Sequence, residues 1–218
     1  MAPKIILNAK TIETLGAKQL SAILVEIARG NPALKRRLRL ALATRQENGA
    51  LKKQLNKQLD ELRKEKSDID WQKGKAFVKE MASLHRSITT DLAEENPTDA
   101  MNVLWRFMDM AGYCYERYDD SQGSLGQVFA DARDSLGDIA RRAKLDPTPL
   151  SLRVIVAYKK NEYGEYDELI SILAPALGSS GLKYLRELIE ELPAYAKNSW
   201  RQGALQEISD ALELCQVK

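Results

Sequence analysis

The stretch Leu125-Gly126-Gln127-Val128-Phe129-Ala130-Asp131-Ala132, continued by Leu136, Ile139, Ala140 and Ala143, decides the fold class. Its apolar residues recur three and four positions apart with charged residues between them, the signature of an amphipathic α-helix about five turns long. Asp119-Asp120-Ser121-Gln122-Gly123 precedes it as a loop, and Asp146-Pro147-Thr148-Pro149 stops it.

The same period runs outward in both directions. Toward the N-terminus, Val103, Leu104, Phe107, Met108 and Ala111 form one face that Met101, Trp105 and Gly112 widen. A helix apolar over so much of its circumference belongs at the centre of a core. Before it, Phe77, Met81, Leu84, Ile88 and Leu92 give a one-faced helix that begins after Asp68-Ile69-Asp70-Trp71 and ends at Glu94-Glu95-Asn96-Pro97. Asp68 and Asp70 can hold Mg²⁺ as an Asp-x-Asp pair, but directly ahead of a helix they read as caps. Leu20, Ile23, Leu24 and Ile27 mark a helix that Gly30-Asn31-Pro32 closes, the proline opening the next one.

Toward the C-terminus, Leu150-Ser151-Leu152-Arg153-Val154-Ile155-Val156-Ala157-Tyr158 has the β-branched content of a buried strand. We read it as helix. Further helices are expected over Tyr166–Ala174, from Leu182 and from Arg201, separated by Gly178-Ser179-Ser180-Gly181 and Leu192-Pro193. The expectation is an all-α protein of about ten antiparallel helices, either an irregular solenoid-like stack or a multi-helix bundle. The expected division is residues 1–66, N-terminal helices with a basic hairpin, and 67–218, the main helical part.

Charge is uneven along the 218 residues: Arg29 to Lys66 holds 12 basic and 4 acidic residues, whereas the whole chain is only +2. The helices Leu34–Arg45 and Leu51–Lys66 read as a basic hairpin turning at Asn48-Gly49. In the second, Leu51, Leu55, Leu59 and Leu62 make one apolar stripe, and Lys52, Lys53 and Lys57 stand on the rest of the surface with Arg63 and Lys64. In the first, Lys35, Arg36 and Arg39 project opposite Leu34, Leu38 and Ala41. Such a surface can neutralise phosphates without reading bases. No aromatic residue for stacking lies in Arg29 to Lys66, and Glu47, Asp60, Glu61 and Glu65 can pair with neighbouring lysines. A solvated face, docking on acidic protein surface, nucleic acid and an anionic membrane surface all remain open.

The chemistry motifs are sparse. One histidine, His85, and two distant cysteines, Cys114 and Cys215, do not make a zinc-site spacing, and no phosphate-cradling glycine loop or nucleophile elbow occurs. His85 reads as a packed ring with one satisfied hydrogen bond, and both cysteines as buried thiols of a reducing compartment. The segment 113–121 holds the one polar constellation. Arg117, Tyr118, Asp119 and Asp120, with Tyr113, Tyr115 and Glu116 beside them, could bind a divalent cation or a sugar, or could cap helices and pack. No cofactor and no catalytic or metal-ligating residue is assigned. The run Ile5-Ile6-Leu7 is too short for a signal sequence, and no stretch is long and apolar enough for a membrane span, so a cytoplasmic location is expected.

Several short motifs resemble a known family when taken in order: Asn31-Pro32-Ala33-Leu34-Lys35-Arg36-Arg37-Leu38-Arg39-Leu40, Asp68-Ile69-Asp70-Trp71, Leu104-Trp105-Arg106-Phe107, Tyr115-Glu116-Arg117-Tyr118-Asp119-Asp120-Ser121 and Ala204-Leu205-Gln206-Glu207-Ile208-Ser209-Asp210-Ala211. That family is an uncharacterised bacterial all-helical one, classed only as a domain of unknown function. The resemblance implies an all-α fold and brings no activity, cofactor or site residue. It also implies tetratricopeptide-like helix pairs beyond the last motif in longer members, so this chain would be a short member or a piece of a longer one. The functional expectation is a non-enzymatic interaction scaffold whose partner is another protein or a second copy. The alternatives are a nucleic-acid-associated protein using residues 29–66, or an enzyme or small-molecule binder with its site at 113–121.

Overall fold

A computed structural model describes residues 6–45, 49–192 and 200–216, and among them every regular element is helical. Ile5, Glu47, Asn48 and Pro193, named above, lie outside the described residues. The chain divides into two compact units, Met1–Glu47 and Asn48–Lys218. The two arms of the basic segment therefore fall in different units.

The first unit comprises α1 (Ala9–Glu13), α2 (Gly16–Arg29) and α3 (Pro32–Ala43). Local chemistry starts each helix or sets its entry. Asn8 and Thr11 form a capping box on α1, Gly16 takes a φ of 71° where α2 begins, and the Asn31 side chain accepts from Leu34 N at 3.0 Å ahead of Pro32. Burial is slight: Ala28, Leu40 and Ala43 are covered, while Ile23, Leu24, Val25 and Ile27 of α2 are exposed. On α3 the expected apolar side is rotated. Leu34 and Leu38 are half-buried but Ala41 is exposed, and the deepest cover runs from half-buried Ala33 and Arg36 to buried Leu40 and Ala43, a spacing of three, four and three residues.

The second unit holds α4 (Ala50–Lys64), α5 (Trp71–Ser87), a π turn (Ile88–Leu92), α6 (Ala93–Glu95), α7 (Pro97–Met108), α8 (Ala111–Arg117), α9 (Ser124–Ala143), α10 (Pro147–Lys159), α11 (Leu169–Glu190) and α12 (Trp200–Gln216). The stripe Leu51, Leu55, Leu59 and Leu62 is buried, as its spacing requires. α4 packs on α7, α7 on α9, α9 on α5 and α11, and α11 on α10 and α12. Seven of the twelve residues of α7 are buried, with the Phe107 ring centred 5.2 Å from that of Phe129 of α9, so it is the central helix that its composition implied. Gly137 allows the α9–α11 crossing: a Cβ there would meet Ile172 O at 2.7 Å.

The run 150–158 is helix, begun by Asp146 capping Thr148 N at 2.9 Å, so Asp146-Pro147 starts a helix as much as it ends one. Gly178 interrupts α11 with φ 57° and ψ −177°, the break expected at Gly178–Gly181 but confined to one residue. The π turn was not legible in sequence. There, Thr89 and Thr90 hydroxyls donate back to His85 O and Arg86 O at 3.0 and 2.7 Å.

Two readings are corrected. Tyr166 does not open a helix: it sits in the loop before α11, where Asn161 accepts from its backbone N–H at 2.9 Å and Glu165 accepts from Tyr163 N at 3.0 Å. Those side-chain bonds satisfy the backbone outside helix geometry. Cys114 is buried, but Cys215 is exposed: it continues the inward stripe Ala204, Ile208, Ala211, yet from Glu213 onward the side chains described are uncovered. Glu207, on the same helix, accepts from Tyr158 OH at 2.7 Å and from Ser171 N and Oγ at 3.2 Å, tying α10, α11 and α12 together. Among the described residues no helix is long and apolar enough to cross a membrane.

Candidate functional site

The polar constellation at 113–121 is pulled four ways. Arg117 is buried and turns to the segment after α4, donating from Nε and Nη2 to Ser67 O at 3.0 and 2.8 Å, with Glu65 at 3.8 Å and the Tyr113 ring beneath it at 4.9 Å. Tyr118 stacks toward Phe77 of α5, in space left by Gly74, whose Cβ would stand 2.4 Å from the ring. Asp119 accepts from Ser121 N at 3.1 Å in a local turn. Asp120 accepts from Leu125 N at 2.9 Å and Gly126 N at 2.7 Å, holding the open N-terminus of α9. The four side chains go to four separate places: the segment after α4, α5, the local turn and the start of α9. Among the described residues, no three His, Cys, Asp or Glu are placed to hold a metal ion.

The basic positions are similarly dispersed. In the first unit Lys35 and Arg39 are exposed and Arg36 is half-buried on the covered side of α3. In the second, Lys52 is paired with Asp99 at 2.7 Å, whereas Lys53 and Lys57 are exposed on the outer side of α4. His85 is half-buried against Phe107. Since the Ser135 hydroxyl donates its proton to Asp131 O at 2.7 Å, it accepts from His85 Nε2–H at 3.1 Å, which in the neutral ring leaves Nδ1 as the nitrogen that a second proton would take. Burial holds the imidazole below its ordinary pKa, against the pull of Asp131.

A groove of about 460 Å³ lies between α7 and the α9–α10 turn, lined by Met101, Asn102, Trp105, Arg106, Leu145, Asp146, Pro149, Leu150 and Arg153. Its floor is apolar and its donors stand at fixed points. Arg153 lies over the Trp105 ring at 5.1 Å and gives Nη2 to Asp109 at 2.7 Å. Asp109 is itself held by Tyr166 OH at 3.2 Å. Arg106 donates Nη2 to Asp60 at 2.6 Å and Nη1 to Asn56. A guanidinium carries five N–H donors in a rigid fork, so each arginine is oriented by these bonds without being exhausted.

Beyond Pro149 the apolar surface continues along α10 through Leu152 and Val156, 47 and 42% exposed. Positions 149, 152, 153 and 156 share one helix face, three, four and seven residues apart. Sequence reading passed over these residues because the groove joins separate segments. The signal it could have used is that 150–158 has almost no polar side, so one flank of a surface helix had to stay apolar.

A smaller polar cavity of about 160 Å³ lies behind Asp109, with Arg63, Lys160, Glu162, Glu165 and Tyr166 among its walls. Burial raises the Glu165 carboxyl above its usual range, with Glu162 and Asp167 adding to the shift.

No curated protein and no solved structure matches this chain at a significant level. Residues 2–212 match a family described as "Family of unknown function (DUF6880)", and the chain belongs to that family.

Proposed function

We propose, from a family with no assigned activity, that this chain is a helical protein-interaction scaffold whose binding surface is the α7–α10 groove and the outer strip of α10. One observation carries the reading. Two large aliphatic side chains, Leu152 and Val156, are exposed on a helix whose opposite side, Leu150, Val154 and Tyr158, is buried, in line with a groove floored by Trp105, Leu145, Pro149 and Leu150. Contiguous apolar surface rimmed by polar groups is what protein interfaces present. Buried Trp and oriented Arg are the residue types that concentrate interface energy.

The test is capture of partners by the tagged full chain, with and without nuclease, repeated with Leu152→Asp and Val156→Asp. The expected result is a protein retained at stoichiometric amount after nuclease by the wild type and lost by either variant. A partner lost on nuclease treatment would replace this reading with the nucleic-acid one, for which the exposed Lys53 and Lys57 of α4 are the supporting feature.

A further inference from the structure

We infer that the first unit lays α3 on a membrane surface rich in acidic phospholipids, with leucines entering the acyl boundary and cations at the headgroups. The surface belongs to the other unit from the α7–α10 groove, and the inference does not depend on the scaffold reading. α3 has two apolar sides. Leu40 and Ala43 are turned inward and buried. Leu34, Leu38 and Leu42, four residues apart, make a second strip that is half-buried at Leu34 and Leu38 and 62% exposed at Leu42. Projected down the helix, Lys35 and Arg39 flank this strip on one side and Arg37 on the other, and all three are exposed.

Local acids do not balance these cations. No Asp or Glu occurs between Glu26 and Glu47, and Met1–Glu47 as a whole carries nine basic residues against three acidic ones. Among the described residues, none of Lys35, Arg37 and Arg39 is bonded to a carboxylate. Apolar surface is in surplus in the same unit. Eight of the twelve large apolar side chains exposed among the described residues belong to it, Leu42 among them, although it is much the shorter of the two. A leucine strip edged by cations is what a helix lying in an anionic interface presents.

Both halves of the pattern choose the occupant. A nucleic acid would use the cations and leave the leucines against phosphate. A second copy would set the same cations face to face. An acidic protein would have to match the surface by a fixed complementary shape, and this unit, whose buried residues are Ala28, Leu40 and Ala43, offers little rigid relief to match. A fluid bilayer surface needs no such fit. Its acidic headgroups meet Lys35, Arg37 and Arg39 while the leucines displace interfacial water.

Co-sedimentation of the full-length chain with vesicles tests this, using phosphatidylcholine alone and phosphatidylcholine mixed with phosphatidylglycerol. Binding to the mixed vesicles is expected to be tighter by about tenfold or more. Each cation near a charged surface is worth about fivefold, so Lys35→Gln with Arg39→Gln should weaken that binding about thirtyfold. Leu42→Ser should weaken it about fivefold, whereas Leu42→Phe should bind as well as the wild type or better. All three positions are exposed, so the variants keep the fold, which helical circular dichroism checks. No binding to the mixed vesicles, equal binding to both kinds, or Leu42→Ser binding like the wild type would each overturn the inference. Duplex DNA that bound as tightly as mixed vesicles of equal accessible phosphate, and was lost with the Lys35 and Arg39 variant, would also overturn it and make the patch a nucleic-acid site.

Discussion

Helices α2 and α9 carry nearly the same kind of apolar pattern and meet opposite fates. In α9 the stripe Leu125, Phe129, Ala132, Leu136 and Ala140 is buried, because α5, α7 and α11 close around it. In α2, Ala28 is the one residue of the helix that is buried, and within its unit the helix has α1 and α3 as neighbours. Periodicity reports that a helix has an apolar side; only the arrangement of other helices reports whether that side is covered. Within the second unit the neighbouring helices cover such sides; within the first, three of the described residues are buried.

The comparison can be broken most directly in the core. Leu55→Ala, at a fully buried position of α4, should cost about 3 kcal/mol in urea unfolding followed by circular dichroism, as lost burial and a residual cavity add. Leu42→Ala on α3, 62% exposed, should cost less than about 0.5 kcal/mol. Equal losses would show that the first unit is packed as tightly as the second. Glycines sharpen the same contrast. Gly137→Ala would ordinarily favour a helix, but the new methyl meets Ile172 O, and a net loss of about 2 kcal/mol is expected. At Gly30, φ is −92° and no atom lies within 4 Å of a built Cβ, so Gly30→Ala should gain about 0.5 kcal/mol.

Caps give a smaller difference in the same direction. Asp120 accepts two backbone N–H groups at the start of α9, and Asn31 accepts one at the start of α3. Asp120→Ala should therefore cost about 1.5 kcal/mol and Asn31→Ala about 1 kcal/mol or less in the same assay. Asp120→Asn, which keeps an acceptor oxygen, should recover part of the loss.

These caps also show what could be seen in advance. The all-α class, the buried leucine stripe of α4 and the central place of α7 follow from spacing and composition, which are local properties. The fate of Arg117-Tyr118-Asp119-Asp120 does not: adjacent in sequence, these side chains are drawn to Ser67, Phe77, Ser121 and α9, and only the fold sets those directions. The spacing of Leu34 and Leu38, both half-buried, points Arg36 outward on α3, yet Arg36 is half-buried too. The deepest burial on α3 is at Leu40 and Ala43, on the side that Arg36 shares. The groove was out of reach for a related reason. Trp105 and Arg153 are 48 positions apart, and the cation–π contact between them exists only after α7 and α10 are in place.

The smallest expected effect is a dependence on acid. The chain has one histidine, His85, so imidazole titration belongs to the second unit alone. Burial lowers its folded-state pKa below the unfolded value of about 6.5. The unfolded chain therefore binds more protons than the folded chain between those two values, and stability falls as pH drops. The sign follows from geometry as well. A second proton would enter at Nδ1, in a half-buried ring whose Nε2–H already meets Ser135, and the charge would have to be desolvated beside Phe107. Asp131 offsets part of this penalty without reversing it. Urea midpoints measured from pH 7.5 down to pH 5 should fall for the wild type. His85→Gln, which keeps an N–H for Ser135 and has no proton to gain, should flatten the slope. An unchanged slope in that variant would assign the acid sensitivity to carboxylates and leave His85 a packing residue only.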